Sequence, residues 1–275
     1  MLRVLEIFCG YKTVSSVEIC RVMPFVAWTT APVRGEKATL GVNYVQASQS
    51  ELHVPVADDL ALTLHQDMAL GVGGVLWNCG RALIEAIACH QELVRGQDIL
   101  ELGCGTGAVG LASGFFQPRS LWLTDLETLL PLVKKNVSQA TQDHTDVFQA
   151  VEISVEAYRW GSTPPPHKQF GLVLCSDCLY EPSVFADFVQ SLLDVTQPHT
   201  RVLLAYKQRI FEREEHVLLA LSKLFDMKFY SLDGKEPANF EQDNVFVLLL
   251  TQRQASSGLA LHREVGVFHP LQPSG

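Results

Sequence analysis

The chain has 275 residues, of which 47% are hydrophobic and 19% charged, which suits a globular protein with a sizeable core, built as one large domain or a domain with an extension. Its formal net charge of −9 argues against a broad nucleic-acid-binding surface, because that needs clustered Lys and Arg. The same charge suits a basic partner, such as a lysine-bearing protein segment, as well as an ordinary solvated surface.

Leu2–Gly10 is an apolar run with a superficial likeness to a nucleotide-binding strand and turn, but it lacks further glycines and an acidic strand end at the right distance. It reads as an extra strand or an extension. Glu6 interrupts its apolarity and no clear cleavage site follows, so a signal peptide is not expected. No run reaches the roughly 18 apolar residues of a membrane span. A cytoplasmic monomer with no membrane association is the expectation. Between residues 40 and 66 apolar side chains alternate in three short runs: Leu40, Val42 and Tyr44; Leu52, Val54 and Val56; Leu62 and Leu64. These predict short antiparallel strands, with Pro55 confining the second to a sheet edge. Gly71-Val72-Gly73-Gly74 then breaks the chain, and the spacing of Leu76, Ala82, Leu83, Ala86 and Ile87 predicts an amphipathic helix within 76–93.

From there strand and helix alternate. Strands are predicted at 98–102, 120–124, 148–153, 171–176, 202–206, 228–232 and 245–251, and helices near 108–116, 126–139, 183–196 and 210–224. Leu172-Val173-Leu174 and Val202-Leu203-Leu204 have the nearly continuous apolarity of buried parallel strands, so the fold class is α/β with a doubly wound sheet. No helix-length segment separates the last two strands. Gly234, Pro237 and Asn239 between them predict a hairpin-like return and an antiparallel edge strand. The chain divides into an extension with short strands (1–70), a main domain (71–252) and a Ser-, Gly- and Pro-rich tail (253–275) expected to be disordered.

The motif that carries chemistry is Glu101-Leu102-Gly103-Cys104-Gly105-Thr106-Gly107, set between a predicted strand and a helix opened by Ala108-Val109-Gly110-Leu111. Glycine belongs where a turn needs positive φ or where a Cβ would block a ligand, and ligands of such sheets sit beyond the carboxyl ends of the strands. The spacing leaves two cofactors open. Gly105, Gly107 and Gly110 spell GxGxxG, which fits a dinucleotide as well as S-adenosylmethionine. Glu101 favours the latter, since a carboxylate suits a cationic amino-acid moiety better than a pyrophosphate. Asp125, at the end of Ser120-Leu121-Trp122-Leu123-Thr124-Asp125, can accept both hydroxyl protons of a ribose, cap the helix beginning near Leu126, or do both. Seven cysteines, at 9, 20, 79, 89, 104, 175 and 178, read as reduced thiols by their odd count, irregular spacing and apolar neighbours. Cys175 and Cys178 have CxxC spacing, but no second pair completes a metal site, and no metal is expected.

The order Gly74-Val75-Leu76-Trp77, Glu101 to Gly107, Thr124-Asp125, Arg159-Trp160-Gly161 and Ser176-Asp177-Cys178-Leu179-Tyr180 resembles the seven-strand protein methyltransferases of methyltransferase family 16, over roughly residues 60–252. That family includes lysine methyltransferases of valosin-containing protein, of heat-shock chaperones and of translation elongation factors. The resemblance implies a seven-stranded Rossmann-like sheet, mostly parallel with an antiparallel last strand, preceded by a β-hairpin and helix extension. It implies an S-adenosylmethionine-dependent protein-lysine methyltransferase whose protein substrate is of the ATPase, chaperone or translation-factor kind. It places Trp77 at the methionine end of the cofactor, Gly103, Cys104 and Gly105 along the loop, Asp125 at the ribose, Trp160 near the adenine and Ser176 on the fourth strand. Asp177 and Tyr180 match an acidic-x-x-aromatic motif beside the transfer site, Asp177 to capture and orient the lysine and Tyr180 to wall its channel. From the residues alone, Trp77 and Trp160 also read as core aromatics, Asp177 as a turn cap and Tyr180 as packing under the next helix. Asn78 departs from the family, where many relatives carry an acidic residue, and residues 1–40 match nothing in it. A methyltransferase of a small molecule, of a histidine or of a terminal amine, and a binding module without catalysis, stay open as alternatives.

Overall fold

Strict alternation of apolar residues at Leu52, Val54 and Val56 makes β1 (Glu51–Ala57), with those three side chains buried and Glu51, His53 and Pro55 exposed. β1 pairs antiparallel with β2 (Leu60–His65), so that Leu52 faces Leu64 and Val54 faces Leu62 on one apolar face of a two-stranded ribbon. Pro55 sits where no second strand needs its missing N–H, and the register shifts just after it. The computed structural model describes residues 48–57, 59–165, 169–209, 211–229 and 244–253. The runs read at Leu2–Gly10 and at Leu40, Val42 and Tyr44, the turn containing Gly234, Pro237 and Asn239, and the tail beyond Arg253 lie outside the described residues.

The apolar runs that follow build a seven-stranded sheet in the order β5-β4-β3-β6-β7-β9-β8. Its members are β3 (Asp98–Leu102), β4 (Ser120–Asp125), β5 (Glu152–Ala157), β6 (Leu172–Ser176), β7 (Arg201–Lys207), β8 (Phe225–Phe229) and β9 (Val245–Gln252). The pairs among β3 to β7 are parallel, whereas β9 runs antiparallel to both β7 and β8. Among the described residues the α-helices are α1 (Asn78–Cys89), α2 (Ala108–Gly114), α3 (Leu130–Asp143), the single turn α4 (Thr145–Phe148), α5 (Phe185–Val195) and α6 (Phe211–Leu224).

Side chains alternate across the sheet into two apolar layers. Ile99, Leu121, Leu123, Leu203 and Ala205 join α1, α2 and α3 through Leu83, Ile87, Leu111 and Val133, and the ribbon adds Leu52, Val54, Leu62 and Leu64 to this layer. Leu100, Leu102, Trp122, Val202 and Leu204 join α5 and α6 through Phe188, Leu192 and Leu221. Covering both faces is what allows the apolar run Leu172–Cys175 of β6 to be wholly buried. The strand order reverses between β3 and β6, and this reversal opens a crevice at their carboxyl ends.

Three expectations shift. The run at 148–153 is not a strand from its start: Phe148 closes α4, and its ring packs against Phe115 at 5.7 Å, above Gly114, so β5 begins only at Glu152. β8 follows α6 without a loop and spans Phe225–Phe229, because Phe225 is fully buried at the junction. The last strand is antiparallel as expected but is not the edge. β9 lies between β7 and β8, which buries Leu248 and Leu250, and the edge position falls to β8.

Besides its apolar face and a contact of His144 Nε2 with the Ala61 carbonyl at 2.9 Å, the ribbon is fastened to α3 by a fully buried amide. Asn136 of α3 accepts the His65 N–H at Oδ1 (2.7 Å) and donates through Nδ2 to the carbonyls of His65 (3.0 Å) and Thr106 (2.8 Å). It therefore completes the end of β2 as a neighbouring strand would, and it fixes a carbonyl of the loop after β3. Asn136→Ala strands these backbone groups and is expected to cost about 2–4 kcal/mol, read as a lower urea midpoint with an unchanged m-value.

Candidate functional site

β3 ends at Leu102 and the chain turns at once through Gly103 and Gly105, with φ of +65° and +56°. A Cβ at Gly103 would lie 2.8 Å from Cζ2 of Trp160, and one at Gly105 would lie 2.8 Å from the carbonyl oxygen of Gly73. Glycine is thus needed twice over, for the left-handed backbone and for the close approach of the chain's own parts. Trp160 covers one side of the loop and the 3-10 segment Met68–Gly74 crosses the other.

The loop is tied mainly to the end of β4. Cys104 N–H donates to the Thr124 carbonyl at 3.0 Å, and Gly105 N–H donates to Oδ2 of Asp125 at 2.7 Å. Oδ1 of Asp125 accepts from Leu126 N–H at 2.7 Å. Burial raises the Asp125 carboxyl above its ordinary range, opposed by these two N–H groups. A carboxylate has about four acceptor directions, so positions remain for a vicinal diol. Asp125 therefore serves as loop anchor and turn cap, and it still fits a ribose. The residues present fit an adenosyl cofactor at this loop.

Glu101 stands beneath the loop. It is 1% exposed, and its Oε2 accepts from Gly110 N–H at 2.8 Å, so it holds the first turn of α2 rather than presenting a free carboxylate. Burial pushes its carboxyl from 4.5 up to about 8; the Gly110 N–H opposes this and the Asp125 charge adds to it. The Cys104 side chain packs into the core, so only its backbone can line the loop. Trp77 precedes α1 and is half-buried, and its Nε1–H donates to the Val72 carbonyl at 2.7 Å, which joins it to the segment crossing Gly105. Trp160 packs on Phe188 with ring centroids 5.0 Å apart. Ser176 ends β6 beside Gly80 of α1.

The expected Asp177–Tyr180 pair is split by its surroundings. Asp177 leaves β6 with φ of +54°, its N–H donating to the Ala205 carbonyl at 2.8 Å. Its side chain is only 9% exposed, and Arg209 grips both oxygens, Nη1 to Oδ1 at 2.9 Å and Nη2 to Oδ2 at 2.7 Å. The thiol of Cys79, from α1, lies beside the same carboxylate and is pushed well up, first by burial and then by the Asp177 charge. Tyr180, by contrast, is 45% exposed at the rim. Arg209 and Cys79 were not singled out from the sequence. The available signal was position: Arg209 lies two residues beyond β7, and β7 is the parallel neighbour of β6, which ends just before Asp177. Cys175 and Cys178 are buried, the Cys178 thiol donating to the Leu102 carbonyl at 3.4 Å.

Comparisons with known proteins give the family and the fold. A family model described as lysine methyltransferase matches residues 56–223. Protein N-lysine methyltransferase METTL21A of Mus musculus is 28% identical over 193 residues, which covers 68% of this chain and 86% of that protein. Protein-lysine N-methyltransferase EFM6 of Saccharomyces cerevisiae is 29% identical over 188 residues, or 57% of this chain and 72% of that protein. Among solved structures, the ribosomal protein L11 methylase of Lactobacillus delbrueckii subsp. bulgaricus aligns with a TM-score of 0.52 at 13% identity, over 74% of this chain and 99% of that one, a likeness of fold.

The Glu101 carboxyl yields a signed pH dependence. Its folded value of about 8 exceeds its unfolded value of 4.5, so its contribution to stability is complete below pH 4.5 and is lost as pH rises through 8. Across that window the ligand-free protein is expected to lose about 5 kcal/mol from this group. Glu101→Gln, which keeps an acceptor for Gly110 N–H, should flatten the fall of melting temperature between pH 5 and 9. An unchanged slope in that variant would refute the assignment.

Proposed function

The chain belongs to the lysine methyltransferase family, and on that footing we propose that it transfers a methyl group from S-adenosylmethionine to the side-chain amine of a lysine in a protein substrate. The observation that carries the reading is Asp125, at the carboxyl end of β4, bonded through Oδ2 to the glycine loop that ends β3 at the strand-order reversal. Asp125 keeps acceptor directions for the ribose diol, while the backbone at Gly103, Cys104 and Gly105, with Trp160 against Gly103, borders the rest of the adenosyl moiety. Trp77 and Ser176 bound the methionine end from the start of α1 and the end of β6.

When bound, the cofactor supplies an electrophilic methyl carbon on a sulfonium, so that an N–C bond forms as the C–S bond breaks and its electron pair stays on sulfur. The protein's part is to bring a neutral amine into line at about 3–3.5 Å and to exclude water. Tyr180, exposed beside Asp177, bounds the lysine's approach, where its ring can also hold a cation. Exposed Met68 and Val72, on the segment crossing the loop, and Leu126, next to Asp125, give a protein segment apolar surface to rest on. A translation factor is the first candidate substrate, because EEF1A lysine methyltransferase 3 of Mus musculus is also similar, at 28% identity over 152 residues.

Incubation with tritiated S-adenosylmethionine and a methylation-deficient lysate should label one protein band, with the label on lysine after hydrolysis. Label found only in small metabolites would overturn the reading. In calorimetry, Asp125→Ala should weaken cofactor binding by about tenfold to a hundredfold, the worth of lost charge-assisted hydrogen bonds.

A further inference from the structure

Capture of lysine by a bare carboxylate does not describe Asp177. Both of its oxygens are held by the Arg209 fork at 2.9 and 2.7 Å, and the pair lies largely out of solvent. Arg209 is anchored in turn: its backbone N–H donates to Oε1 of Glu214 at 3.2 Å, and Glu214 is 3% exposed on α6. The hydrogen bond from Asp177 N–H to the Ala205 carbonyl sets the ends of β6 and β7 side by side, so the pairing follows from strand register. We propose that Arg209 is a positioning residue for methyl transfer, which fixes the Asp177 carboxylate beside the transfer site and cancels the charge that would otherwise hold an incoming lysine as its ammonium form.

The inference rests on the lysine-transfer reading above. Only a neutral amine has a lone pair to attack with, and a nearby carboxylate favours the ammonium form. Guanidinium stays charged at every working pH, and a bidentate pair leaves acceptor directions on the carboxylate that can still orient an amine N–H. The groups facing Asp177 complete the balance. Against Asp177 itself stand the Cys79 thiol from α1, Arg209 from beyond β7 and the buried Cys178 thiol, while Lys207, Tyr206 and Glu214 lie behind them, around Cys79 and Arg209. Tyr180, Glu181 and Asp125 lie further round the same crevice. Cys79 and Tyr206 are pushed up by burial and are uncharged at neutral pH. The guanidinium of Arg209 is the cation bonded to Asp177, and its removal alone leaves that carboxylate without its countercharge.

The test is the pH dependence of the initial labelling rate, with tritiated cofactor at saturation and the methylation-deficient lysate as probe. Arg209→Gln should move the rising limb, which reports loss of the lysine proton, up by about one pH unit or more, so that labelling falls roughly tenfold at low pH and recovers at high pH. Arg209→Lys keeps the charge and should keep the limb in place at a reduced rate. Asp177→Asn leaves the guanidinium unopposed and should move the limb the other way. Calorimetric cofactor affinity and a melting curve for each variant show that it is folded. A limb that stays put in both Arg209→Gln and Asp177→Asn, with rates lowered evenly across pH, would overturn the proposal. Absence of any labelled lysine with the unsubstituted protein would instead overturn the functional reading itself.

Discussion

One hydrogen bond, from Gly105 N–H to Asp125 Oδ2 at 2.7 Å, sets the geometry on which the rest of the crevice depends. A loop that leaves a strand through left-handed positions is not held by ladder hydrogen bonds, so something outside it must choose its path. Here a carboxylate twenty residues on does so, while its other oxygen caps the turn at Leu126. With Gly105 fixed, the carbonyl of Gly73 can lie close against it, and Trp77 is bonded to the same crossing segment through Val72. The ends of β3 and β4, the entry to α1 and the segment between ribbon and α1 are therefore coupled through backbone groups and the side chains of Asp125 and Trp77. A ligand touching Asp125 would be felt at Trp77.

Acids around this crevice are kept in low dielectric by different means. Glu101 has one N–H partner and is deeply buried, which drives its carboxyl toward the protonated form. Asp125 has two N–H partners and partial access to water. Asp177 has a full countercharge. Ion pairs of this kind contribute little net stability once desolvation is counted, whereas breaking one leaves a costly unpaired charge. The value of the Asp177–Arg209 pair lies in what it does to the local field.

The parts of the fold that were readable in sequence are those where one physical requirement dominates. β3 spans the residues expected for it because Ile99, Leu100 and Leu102 are wholly buried between the two helical layers, and the glycine turn after it has few alternatives. The ribbon was readable from alternation, but not its attachment, because Asn136 is a polar residue on an apolar helix face whose partners are 71 and 30 residues away. Phe148 fits a strand run as well as a helical turn, and only Gly114 and Phe115, far earlier in the chain, decide between them. Arg209 shows the same limit at the site. Nothing local marks it as the partner of an acid 32 residues before it; strand order brings the two together. Glu101 was recognisable as special, yet its direction was not, since the sequence does not tell whether a carboxylate before a glycine loop faces a ligand or the next helix.

The two length scales of charge in this protein have opposite requirements. A net charge of −9 favours encounter with a basic segment, and it does so through water, where fields fade within about 8–10 Å at physiological salt. The same sign of field at the transfer site would defeat the chemistry, because it would keep the amine protonated at the point where a lone pair is needed. Neutralising the whole surface would sacrifice attraction; leaving Asp177 bare would sacrifice nucleophilicity. A local countercharge resolves the conflict, provided that it is close enough to act at contact range and buried enough not to be screened. Arg209 meets both conditions, with its fork within 2.9 Å of the carboxylate and only 30% of its side chain exposed. An acidic exterior and a balanced interior are then two halves of one electrostatic design.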